Sequence, residues 1–171
     1  MRPALRPLAA ACLATALAAP AAADTAMLNV LIRDLDAAGG GGLNAAVGVC
    51  LLGDGDAEAA AAIWEGAGWR RRDTAGSIAL SGSGAPYVVQ LSQAERSCTL
   101  LAREGGSDAA LQALVVAAMM TAEGFSGGPD TPAGCQTMRV GRAMAEVTSA
   151  RNEAQCYDDD TARIHMTFPA N

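Results

Sequence analysis

His165 is the only histidine in the chain, and its side chain is the one whose ordinary pKa lies near neutrality, so it is the first candidate for a general base. Three acids, Asp158, Asp159 and Asp160, precede it closely. A Ser-His-Asp constellation would also need a serine on an exposed elbow. No G-x-S-x-G occurs, and Ser81-Gly82-Ser83-Gly84 approaches it without the flanking pattern. On a strand, His165 has the side-chain parity of Arg163 and Thr167, opposite to Ile164, Met166 and Phe168. That parity makes it a solvent-facing residue. A small hydrolase or ion-dependent enzyme using His165 with Asp158, Asp159 and Asp160 is the alternative reading.

Asp54, Asp56, Glu58 and Glu65 match the first, third, fifth and twelfth positions of an EF-hand loop. The sixth position must be glycine for the sharp turn, and Ala59 stands there. Ala59 to Ala62 is also a strong helix-forming run, and a loop wrapped round an ion cannot be a helix. The acids at 158–160 read as a solvated turn that keeps neighbouring strands soluble. Gly39 to Gly42 would be a phosphate cradle only with a Gly-Lys-Ser/Thr ending, and all 12 basic residues are arginine. The glycines read as a flexible joint. Arg70, Arg71 and Arg72 beside Trp69 suit an anionic partner, or else a solvated strand entrance whose alkyl stems cover the core edge. The methionines show no repeated ligand spacing and read as core filler. No cofactor and no metal are expected.

These residues need elements to hold them. Leu28, Leu31, Ile32 and Leu35 have the spacing of a helix face within Thr25 to Ala38. Leu43 to Leu52 reads as a buried helix. Asp56 reads as the N-cap of a helix over Ala57 to Ala67, ended by Gly66 and Gly68. Tyr87 to Leu91 and Ser97 to Ala102 form a hairpin, with a shorter strand at Ser77 to Leu80. Ser107 reads as the N-cap of a helix from Asp108 to Ala122. Gly124 to Gly134 is a loop, and strands follow near Gln136 to Val140, Met144 to Ser149 and Ala162 to Phe168. Strands come in adjacent runs, so the expected fold is α+β, with helices on an antiparallel sheet made of the hairpin and a C-terminal meander.

The N-terminus sets the compartment. Arg2 and Arg6 precede an apolar run, Leu8 to Ala19, then Pro20 and three alanines ahead of Asp24. That is the pattern of a cleaved secretory signal peptide over residues 1–23, and the run is too short to span a bilayer. Cys12 lacks the large aliphatic residue expected three positions before a lipidated cysteine, so it belongs to the discarded peptide. Residues 24–171 then form a single small domain, in which 24–42 are the N-terminal helix and Gly-rich joint. Cleavage removes two arginines and makes the net charge of −6 more negative still. Nucleic acid is therefore not an expected partner, and no transmembrane segment is expected in the mature chain.

Cys50, Cys98, Cys135 and Cys156 remain, an even number in an oxidising compartment, which argues for two disulfides. None forms a C-x-x-C, and a single histidine makes zinc a poor fit. Three pairings are open to four cysteines.

Val49-Cys50, a turn, an Ala-rich helix ending Gly68-Trp69, a strand carrying Ser97-Cys98-Thr99 and a further helix resemble small exported proteins of GC-rich Gram-negative bacteria. The likeness covers roughly residues 43–125. It implies a Cys50–Cys98 disulfide and an α+β fold, and it implies no activity. The expected pairing is Cys50–Cys98 with Cys135–Cys156, since both closures are local; the crossed pairing, Cys50–Cys135 with Cys98–Cys156, is its rival. The expected protein is a periplasmic or secreted, non-enzymatic domain that binds a partner, such as another envelope protein, or supports the envelope.

Overall fold

The structure is a computed structural model that describes residues 19–37, 40–131, 135 and 137–170, with side-chain surroundings from Thr25 onward. Most of the expected signal peptide, residues 1–18, lies outside the described residues. Four helices, α1 (Ala19–Asp34), α2 (Gly40–Gly53), α3 (Ala57–Gly66) and α4 (Gly106–Met120), pack on an eight-stranded sheet. The strands are β1 (Arg70–Thr74), β2 (Ser77–Ser81), β3 (Tyr87–Ser92), β4 (Ser97–Ala102), β5 (Phe125–Gly127), β6 (Thr137–Val140), β7 (Ala143–Thr148) and β8 (Ala162–Thr167). Every pairing is antiparallel, in the order β1-β2-β3-β4-β8-β7-β6-β5. Two four-stranded meanders are thus joined where β8 lies beside β4, and α4 carries the chain from one to the far edge of the other.

Period-two alternation decides which face is covered. Leu80, Val89, Leu100, Ile164 and Val147 form one row across five strands, all buried beneath the helices. Ile78, Leu91, Cys98, Met166 and Ala145 form the next. Trp64 of α3 meets Trp69 edge-on, with ring centroids 4.6 Å apart, and Tyr87 completes the cluster. Its hydroxyl donates to the Leu35 carbonyl at the end of α1, and burial raises its pKa well above the ordinary phenol value.

Both disulfides are those expected. Cys50–Cys98 ties α2 to β4, and Cys135–Cys156 closes the chain around β6 and β7. The α+β expectation holds, with hairpin and meander fused into one sheet. Three local expectations change. Gly40 to Gly42 do not form a flexible joint but the first turn of α2, with Gly42 buried against the Ala37 carbonyl. Ser107 is not the N-cap of α4; Gly105 is, and Ser107 turns its hydroxyl to the Asp158 amide. The 124–134 loop begins with the short edge strand β5.

Candidate functional site: the open face of the sheet

The face turned away from the helices carries three of the side chains singled out by their chemistry: His165, Arg70 and Arg72. Register places Arg72, Ala79, Gln90, Thr99, His165, Glu146 and Thr137 in one row from β1 to β6. The adjacent row runs Arg70, Ser81, Val88, Leu101, Arg163 and Thr148. At the β1 end, Ala79, Val88 and Leu101 form a half-buried apolar strip flanked by Arg70 and Arg72. The depression there holds about 610 Å³, within the usual range for a ligand site.

The three arginines have different employments. Arg71 points to the helix side, where its guanidinium donates to both Glu58 oxygens at 2.7 and 2.8 Å and to Asp73 at 2.8 Å. The hydrogen bonds hold its pKa above, and that of Glu58 below, their ordinary values. Arg70 and Arg72 are exposed and make no ion pair or side-chain hydrogen bond with a described residue. Only these two members of the run present a free charge to the open face.

His165 lies on this face, as its parity predicts, but it is half-buried and not fully solvated. Its Nδ1 is 2.8 Å from the Thr99 hydroxyl. Burial lowers its pKa, Arg163 lowers it further, and Glu95, Glu146 and Glu153 act in the opposite sense. The imidazole is therefore neutral at neutral pH. It lines a second depression of about 260 Å³ with Ser77, Ser92, Ser97, Glu95 and Arg163. The contacted hydroxyl is that of Thr99, and Ser97 instead donates to Glu95 at 3.4 Å.

Asp158, Asp159 and Asp160 do not line that depression. They sit at the start of α4, where the Ser107 amide donates to the Asp158 carbonyl at 2.8 Å. The Asp158 carboxylate accepts from Ser149 Oγ at 2.6 Å, Thr161 Oγ1 at 3.0 Å and the amides of Asp160 and Thr161. These bonds hold its pKa far below the usual carboxylate range, with Ser149 the largest cause. The turn is therefore not a simple solvated tip: Asp158 knits it together, while Asp159 and Asp160 are exposed.

The acids of the EF-hand-like spacing are engaged elsewhere. Asp56 caps α3 by accepting from the Glu58 and Ala59 amides, Asp54 pairs with Arg142 at 2.7 Å, and Glu58 holds Arg71. Among the described residues no three His, Cys, Asp or Glu side chains converge as a metal site. No helix among them is long and apolar enough to cross a membrane. Sequence reasoning did not single out Thr99, nor β1 as a strand. An Arg-Arg-Arg-Asp-Thr segment lacks apolar alternation, and only its Arg-x-Arg-x-Thr parity hints at two faces. Comparison of the chain with protein-family models, curated proteins and solved structures found no match.

Proposed function

We propose that this chain is an exported, non-enzymatic domain of the bacterial envelope that binds a partner protein through the open face of its sheet. The observation that carries the reading is the β1 end of that face, where an apolar strip is flanked by two arginines free of ion pairs among the described residues. Buried rows of leucine and valine explain a covered face, whereas Val88 and Leu101 on the uncovered one bury nothing of the chain's own helices.

Export is supported by the N-terminal pattern, by two disulfides suited to an oxidising compartment, and by the likeness to small exported proteins. Cleavage before Asp24 would remove the first residues of α1 and keep its buried Leu31, with buried Leu35 just after the helix. Mass spectrometry of the exported protein is expected to show loss of residues 1–23, and an N-terminus at a lipidated Cys12 would refute it.

Site-specific photocrosslinking tests the binding reading. A photoreactive side chain at Val88 is expected to give a discrete adduct in cells that make the protein, whereas one at exposed Gln112 on α4 is not. No adduct from Val88, or equal adducts from both positions, would count against it. The hydrolase alternative draws on the neutral imidazole of His165 among serine and threonine hydroxyls, and it requires His165→Gln to abolish activity with the fold intact.

A further inference from the structure

We propose that the free edge of β1 accepts an extended polypeptide segment with Asp or Glu at alternate positions, which adds a ninth strand and seats its acids against Arg70 and Arg72. The proposal rests on the partner-binding reading and gives the partner its chemistry. β1 stands at one end of the sheet and pairs with β2 alone. The backbone of Arg70–Thr74 makes no other hydrogen bond to a described residue, so its outward N–H and C=O groups form an open template.

Charge periodicity selects what that template takes. Arg70 and Arg72 project from the same face, about 7 Å apart along the strand. A strand laid alongside has the same repeat, so its alternate residues fall opposite the two arginines with Cβ atoms about 5 Å away. Carboxylates there make charge-assisted, two-pronged bonds with guanidinium groups. Arg71 takes no part, because Glu58 and Asp73 already hold it; the Glu58 contact also ties the edge to α3.

The same charges exclude other occupants. A second copy laid antiparallel along the whole edge would set Arg72 against Arg72 and Arg70 against Thr74, so neither open-face arginine would gain a carboxylate, and like charges directly opposite are destabilising. A nucleic acid or an anionic bilayer meets the field of the whole molecule, whose net charge is −6. With screening over about 8 Å at physiological salt, a short acidic segment senses mainly the local arginine pair.

The test uses the oxidised, ¹⁵N-labelled protein and the peptide acetyl-Thr-Glu-Val-Glu-Val-Glu-Thr-amide, with lysine in place of glutamate as control. The glutamate peptide is expected to shift the amide signals of residues 70–74 and slow their exchange, and to bind more weakly as salt rises. Arg70→Glu with Arg72→Glu is expected to weaken it at least tenfold and to let the lysine peptide bind instead. Both positions are exposed, and an unchanged melting temperature verifies the fold. No binding of the glutamate peptide, or binding indifferent to the charge reversal, would overturn the proposal. So would binding to phosphatidylglycerol vesicles in place of the peptide. Shifts at Val88 and Leu101 without any at the edge amides would also overturn it while leaving the partner-binding reading intact; loss of the Val88 crosslink would remove that reading as well.

Discussion

Two side chains looked catalytic in isolation, and their surroundings give them different employments. The carboxylate of Asp158 is saturated by two hydroxyls and two amides. Its pKa is lowered on folding, so its contribution to stability is present above the unfolded value, about 3.9, and is lost as pH falls through the acid range. Asp158→Asn is expected to lower the melting temperature at pH 7 and to flatten the acid side of the stability curve, as thermal denaturation from pH 2 to pH 7 would register. His165 titrates with the opposite charge. Its folded pKa is also lowered, so the unfolded chain binds the proton more readily, and stability falls as pH drops below about 6.5. As the only histidine, it gives isolated imidazole proton signals, which are expected to titrate below 6.5. Titration at or above that value would contradict the burial described. Parity alone made the facing of His165 legible. Its half-burial was not, because that depends on neighbours from β4 and β7, distant in sequence.

Among the elements, those with an apolar rhythm could be read from sequence, and those without it could not. α3, β3, β4 and β8 fall close to their expected positions. β1 and β5 are edge strands with few buried side chains, so no period-two signal marks them. The first turn of α2 defies the low helix propensity of glycine because packing outweighs it. A methyl group on Gly48, further along the same helix, would come within 2.8 Å of Leu31, so absent side chains let α1 and α2 approach. Gly106 is constrained more severely. It has φ +59°, and a Cβ there would meet the carbonyl oxygens of Asp158 and Asp159. Gly106→Ala is expected to cost on the order of 2 kcal/mol or more in denaturant unfolding, from backbone strain and displacement of the turn together. The disulfides rank by loop length. Cys50–Cys98 spans 48 residues and Cys135–Cys156 spans 21, so the chain-entropy argument gives about 4 and 3 kcal/mol. Replacing Cys50 and Cys98 by alanine is expected to lower the melting temperature by about 10 °C, and more than the other pair does, because both belong to the main hydrophobic core, whereas Cys135 is buried outside it and Cys156 is half-buried. The reverse order would contradict the packing of α2 on β4.

Over the whole molecule, neither disulfide links the two meanders; the β4–β8 ladder does, burying Leu100 against Ile164 and Cys98 beside Met166. The order of the elements, with strands in adjacent runs, made an α+β domain legible, but not that all four helices would gather on one face. That asymmetry leaves the other face open, with basic groups gathered at its β1 end on a chain of net charge −6. The yield of the Val88 photocrosslink, measured in two altered backgrounds, tests the reading of this face most directly. His165→Gln is expected to leave the adduct at the level of the unaltered protein, and Arg70→Glu with Arg72→Glu to remove most of it. An adduct lost with His165→Gln and kept with the arginine reversal would move the working site to the histidine depression and contradict a partner-binding face at β1.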